Sequence, residues 1–172
     1  MALGSQKKLL LQTYKLLEDV TPLNIDCGTL CDHACCKGDA HTGMWLFPGE
    51  EELLRDCPDF EILECKDNAG YPMVVCKGHC DRKLRPLSCR IFPLFPLVKE
   101  TEQGGITIEV IVDPRAGIVC PLKEKALMTT MFQLRVRRAA SKLLTDPEMR
   151  TYLLETGAFL EELRDFQKLF AR

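Results

Sequence analysis

The residues with the most chemistry to offer are cysteines. Ten occur in a chain of 172 residues, and all lie between positions 27 and 120. Cys27, Cys31, Cys35 and Cys36 stand in the run Cys27-Gly28-Thr29-Leu30-Cys31-Asp32-His33-Ala34-Cys35-Cys36. A second group, Cys76-Lys77-Gly78-His79-Cys80, continues to Cys89, and Cys120 follows in Ile118-Val119-Cys120-Pro121. Four thiols within ten residues are hard to explain by packing. Metal binding needs thiolates converging on one point, and short spacings achieve this at low loop-closure cost. On a helix, Cys27, Cys31 and Cys35 would share one face. Gly28 and Asp32 weaken that helix, so a knuckle-like loop is expected. The adjacent Cys35 and Cys36 point in different directions. Either they serve two metals, or one ligates and the other packs.

Arg85 and Arg90 flank Cys89. Zinc held by four thiolates carries a net charge of about −2, which buried arginines or backbone N–H groups would offset. The plainer reading is that these arginines are solvated. All-sulfur ligation disfavours magnesium, calcium and manganese.

The run Arg85-Pro86-Leu87-Ser88-Cys89-Arg90-Ile91-Phe92-Pro93, with an upstream cluster ending in Cys35-Cys36, resembles the CxxCxxCC family of zinc- or iron-chelating domain proteins. The likeness covers roughly residues 27–121. It implies a metal-binding protein whose ligands are Cys27, Cys31, Cys35, Cys36, Cys80, Cys89 and Cys120, with Cys76 as the eighth. Two features depart from the family pattern. The first cluster is C-x3-C-x3-C-C, looser than the family name. The gap between Cys80 and Cys89 is one residue short, which puts His79 where a family cysteine falls. Either Cys80 ligates through a shifted loop or His79 takes part. His33 is likewise an alternative ligand, and His41 reads as a loop residue. Cys57 and Cys65 have no motif partner and read as small buried hydrophobes.

Eight thiolates would complete two four-cysteine sites, suiting two zinc ions or two iron–sulfur clusters equally. A closed zinc site has no open position, so it would be structural rather than catalytic. The alternative is an iron–sulfur redox or radical enzyme. Against it, the second gap of the first cluster is one residue too long for a radical S-adenosylmethionine signature, and no strand–helix repeat or glycine-rich nucleotide loop follows. A thioredoxin-like oxidoreductase lacks its C-x-x-C pair. No acid–base pair or HExxH pattern marks a catalytic centre. Larger relatives of the CxxCxxCC family are associated with protein lysine methylation.

The formal charge of −2 gives no sign of nucleic acid as a partner. The longest uncharged apolar run, Ile91 to Val98, holds two prolines and is too short to span a bilayer. Leu9-Leu10-Leu11 is too short for a signal-peptide core. The expected compartment is therefore the cytoplasm, where cysteines serve as metal ligands or redox groups rather than disulfides.

The elements that must position these thiols form three zones in a single α+β domain, 1–172. Residues 5–20 read as a helix with Leu9, Leu10, Thr13, Leu16, Leu17 and Val20 on one stripe, ended by Thr21-Pro22. The cysteine-rich part, 24–121, reads as loops and short strands. Pro48-Gly49-Glu50-Glu51-Glu52-Leu53-Leu54 starts a short helix, with acids in its first turn as the helix dipole prefers. Tyr71–Val75 is strand-like, and Pro93–Lys99 with Ile106–Val112 forms a hairpin around Gln103-Gly104-Gly105. The part 122–172 is helical. Met128, Phe132, Val136, Ala139 and Leu143 share one face. Asp146-Pro147 starts a further helix expected to stop at Gly157. Phe159, Leu163, Phe166 and Phe170 are then expected to pack a last helix into the core.

Overall fold

A computed structural model describes residues 3–37, 43–64 and 70–170. Its architecture is α+β. Among the described residues there are seven α-helices, a three-stranded antiparallel sheet and a two-stranded antiparallel hairpin. Helix α1 (Leu3–Leu16) ends a turn earlier than its apolar stripe suggests. At Leu17 the ladder tightens, the amide bonding back to the Tyr14 carbonyl.

The two short helices α2 (Gly28–Cys31) and α3 (Glu50–Leu54) flank β1 (Met44–Trp45). Strand β3 (Met73–Cys76) is central in the first sheet, between β1 and β2 (Phe60–Leu63), with Phe60 opposite Cys76. Sequence periodicity did not single out β2. It is four residues long and reads Phe-Glu-Ile-Leu, which has no clean alternation. Helix α4 (Leu87–Ile91) carries Cys89. The hairpin, β4 (Leu94–Glu100) with β5 (Ile106–Val112), turns where expected, closed by Thr101 and Gly105. Helix α5 (Ala116–Val119) delivers Cys120 at its end.

The long helices complete the main core. Met128 and the inward residues of α6 (Thr130–Leu143), namely Phe132, Val136, Ala139 and Leu143, are all buried. Asp146 caps α7 (Pro147–Phe170), its Oδ1 accepting from the Glu148 and Met149 amides at 2.9 and 3.1 Å. Helix α7 does not stop at Gly157. There it presses against β4, and a Cβ on Gly157 would lie 3.1 Å from Leu97 Cδ1. The glycine permits close packing; it does not terminate the helix. The last phenylalanines also differ from expectation. Phe159 sets its ring edge on Trp45, but Phe166 and Phe170 pair with each other and stay 59% and 71% exposed.

One buried carboxylate ties the elements around Cys89 together. Glu50, the first residue of α3, is 0% exposed. Its Oε1 accepts from the Tyr14 hydroxyl (2.5 Å) and the Leu87 amide (2.6 Å), and its Oε2 from the Phe47 amide (3.0 Å). The Leu87 amide is one of the orphan donors at the start of α4, so Glu50 joins α1, α3 and α4 in one network. In sequence it looked like an ordinary first-turn acid among three.

Burial pushes the Glu50 carboxyl up from 4.5 to about 6, and its three hydrogen bonds only partly oppose this. The folded chain therefore holds that proton more tightly than the unfolded chain. Its contribution to stability is complete below about pH 4.5 and is lost as pH rises through 6. We predict that the stability difference between wild type and Glu50→Gln changes by on the order of 2 kcal/mol between pH 4.5 and 6.5. Urea denaturation with a chelator present, across that range, measures it. A pH-independent difference would contradict the assignment.

Candidate metal centre

The eight thiols named from the sequence come together from four stretches of chain. Two adjoining cavities collect them, one of about 80 Å³ and one of about 200 Å³. Cys27, Cys31 and Cys120 line the smaller. Cys36, Cys76 and Cys80 line the larger. Cys35 and Cys89 line both, and Arg85, Phe92 and Val119 complete the shared wall.

Local structure explains how the first cluster reaches both cavities. Helix α2 makes one turn and stops at Asp32. Asp32 and His33 both take left-handed backbone, each with φ 51°, before a 3-10 turn over Ala34–Cys36. Two successive left-handed residues other than glycine cost of order 1–3 kcal/mol each and reverse the chain sharply. The knuckle expected from Gly28 and Asp32 is thus a helical turn, a kink and a second tight turn. Gly28 is buried beneath the kink, and a Cβ there would lie 2.3 Å from His33 Nδ1, so only glycine lets the imidazole fold back.

The thiols interact in two sets. The Cys36 thiol hydrogen-bonds with those of Cys35 and Cys76. Cys89 is coupled electrostatically to Cys36 and Cys80, and Cys27 to Cys120 and Cys31. Burial pushes the Cys27, Cys89 and Cys120 thiols up from their ordinary value, the neighbouring sulfurs adding to it. Burial also pushes Cys76 up, to about 12. Cys36 is raised chiefly by its hydrogen bond with Cys35, then by burial. As the side chains stand, no three His, Cys, Asp or Glu groups among the described residues are arranged to hold a metal ion. The sulfurs line cavity walls rather than meeting at a point.

The two arginines beside Cys89 have separate tasks, and neither is simply solvated. Arg85 faces the sulfurs. Burial would lower its pKa, but a hydrogen bond to Cys80 and the nearby Cys36 and Cys89 thiols outweigh this and hold it above its ordinary value. Arg90 is 8% exposed and turns away. Its Nε donates to the Arg85 carbonyl (2.6 Å) and its Nη2 to the Arg82 and Lys83 carbonyls (3.0 and 2.7 Å). Its guanidinium carbon lies 4.4 Å from the Tyr14 ring centre. Arg90 therefore holds the segment that aims Arg85, rather than offsetting sulfur charge directly.

The sequence reading missed Arg115, in the wall of the larger cavity. It pairs with buried Asp113, Nη2 to Oδ2 at 2.6 Å, and stacks over Trp45 at 4.5 Å. The Asp-Pro-Arg spacing at 113–115 was a usable signal, since an Asx-type turn brings the two side chains together. His33 and His79 line neither thiol cavity; both sit in an outer cleft described below. Cys80 is buried, whereas His79 is exposed. Cys57 is not in the lining of either cavity; it is half-buried against a minor apolar cluster that includes Leu54, Phe60 and Cys80 and that Cys76 also packs against. Cys65 and His41 lie outside the described residues.

No family model, curated protein or solved structure matches this chain.

Because Arg90 makes three charge-assisted bonds to carbonyls, Arg90→Lys should cost about 2–3 kcal/mol. Arg82 makes one such bond, to the Val20 carbonyl at 3.0 Å. Arg82→Lys should cost under about 1 kcal/mol by the same reasoning. Urea denaturation of both variants checks this, and equal losses would show that Arg90 is not the organiser of the 82–85 segment.

Proposed function

We propose that this chain is a metal-binding protein with a thiolate-rich centre, zinc being the first candidate and iron, as ion or iron–sulfur cluster, the second. The observation that carries this reading is the gathering of eight thiols, from residues far apart in sequence, around two adjoining cavities. The resemblance of the 85–93 run and of the Cys35-Cys36 cluster to the chelating-domain family supports the same reading.

Donor chemistry favours a soft or borderline metal. Sulfur supplies eight of the candidate donors in the two cavities, Asp26 adding a carboxylate to the lining of the smaller, and Arg85 provides a cation where thiolate charge would accumulate. Cys36, Cys76 and Cys80 form one group and Cys27, Cys31 and Cys120 another, and Cys35 and Cys89, which line both cavities, would bring each group to four sulfurs. Coordination requires these thiols to lose protons and rotate about their Cα–Cβ bonds toward a common point. Metal binding would then release protons, and its free energy would stabilise the fold. A closed four-thiolate site leaves no position for a substrate, so the role that follows for zinc is structural. Apolar residues that include Phe92, Pro93 and Val119 wall the smaller cavity, while Cys80 is buried, Cys35 is exposed and the other candidate thiols are half-buried.

No helix among the described residues is long and apolar enough to cross a membrane. We place the protein in the cytoplasm, because a reducing compartment keeps these thiols available for metal.

Anaerobic purification followed by elemental analysis and an ultraviolet–visible spectrum tests the proposal. Stoichiometric zinc in a colourless protein is the expected result. Iron with sulfide in a brown protein would replace zinc by a cluster. A metal-free protein whose thiols are intact would overturn the reading. Cys89→Ser should lose metal and melt earlier, whereas Cys57→Ser should keep its metal. Equal metal content in the two variants would show that the ligand set is wrong.

A further inference from the structure

A third cleft, of about 370 Å³, opens beside the larger thiol cavity. Its base is formed by Cys36 and Cys80, which also line that cavity. Its rim carries His33, His79 and Asp26. This is where polar, metal-capable side chains meet the edge of the sulfur centre. The cavities behind it are walled by apolar residues such as Trp45, Phe60 and Val119.

His33 is held at this rim by its surroundings. Its left-handed backbone reverses the chain, and its ring lies over buried Gly28. His33 Nδ1 and Asp26 Oδ1 lie 2.3 and 3.2 Å from the point a Gly28 Cβ would occupy, so imidazole and carboxylate approach the same spot. Asp26 is further fixed by accepting from the Gly28 amide at 3.1 Å. His79 reaches the cleft from the segment preceding Cys80. Asp81, Arg82 and Arg85 complete the lining, Arg82 donating to the Val20 carbonyl and Arg85 bonding to the Cys80 sulfur at the base.

A hydrated divalent cation cannot cross an apolar wall unless other ligands replace its water. Imidazole and carboxylate do this for zinc, and neutral imidazole binds it without first giving up a proton. We propose that this cleft is the route by which metal reaches the thiols, with His33, His79 and Asp26 as transient ligands that pass the ion inward to Cys36 and Cys80. The transfer is ligand exchange without redox change: each metal–nitrogen or metal–oxygen bond is replaced by a metal–sulfur bond, and each thiol proton leaves to solvent. This proposal rests on the metal-binding reading.

The test is the rate at which anaerobic metal-free protein takes up zinc, followed with a chromophoric chelator, in wild type and in His33→Asn/His79→Ala. Asparagine tolerates the left-handed backbone at position 33, and His79 is exposed, so the variant should fold. Matching circular dichroism of the metal-free proteins checks that. The expected result is unchanged final zinc content with uptake slowed by about tenfold or more. A second expected sign, with cobalt as probe, is an early species of weak sulfur-to-metal absorption that the variant lacks. Uptake as fast as wild type would overturn the access role and leave the metal-binding reading intact. Lower final content would make the histidines permanent ligands and also overturn it. Failure of wild-type protein to take up any metal would remove both proposals.

Discussion

Gathering many thiols at once, most of them half-buried, is the constraint on which this structure turns. A neutral thiol is a small hydrophobe and is cheap to bury, whereas a thiolate in an apolar cavity needs a compensating charge. The two cavities gather eight sulfurs, and burial together with neighbouring sulfurs pushes the Cys27, Cys36, Cys76, Cys89 and Cys120 thiols up. Such an assembly stays protonated, or it ionises around something positive. Arg85 is the cation the chain itself supplies there, with Arg115 already committed to Asp113. One guanidinium cannot balance several thiolates, and metal ions of two or more positive charges can. That imbalance, rather than the number of cysteines, makes metal the most economical reading.

The rest of the fold can be understood as what holds the sulfurs in place. Cys89 sits on a five-residue helix, too short to be stable alone. It is held at its start by Glu50 and through Arg90 by three carbonyls. Cys76 ends the central strand of a small sheet, and Cys120 ends a helical turn that follows the hairpin. The long helices α1, α6 and α7 contribute no thiol. They build the apolar core against which the hairpin and α4 rest. The division of labour matches the sequence, in which the cysteine-rich stretch lies between helical ends.

Much of this was legible beforehand, for physical reasons. Helical faces such as Phe132, Val136, Ala139 and Leu143 repeat at the helical period, and the hairpin's turn residues are distinctive. The eight candidate thiols were named through the family resemblance of their motifs, and they are the ones that line the two cavities. Gly157 was misread because a glycine that ends a helix and one that lets a helix approach a strand look alike in sequence. Glu50 was unreadable as an anchor, since only tertiary structure distinguishes it from Glu51 and Glu52. Arg85 and Arg90 share a motif but face different partners, which spacing alone does not reveal. The allocation of thiols to two cavities likewise depends on the left-handed kink at Asp32 and His33.

The central claim is that these sulfurs share metal. X-ray absorption at the metal edge of anaerobically purified protein tests it most directly, because it reports which atoms surround the ion. The account predicts a shell of four sulfurs per metal, at about 2.3 Å for zinc. A shell made only of nitrogen and oxygen, or no bound metal at all, would contradict it.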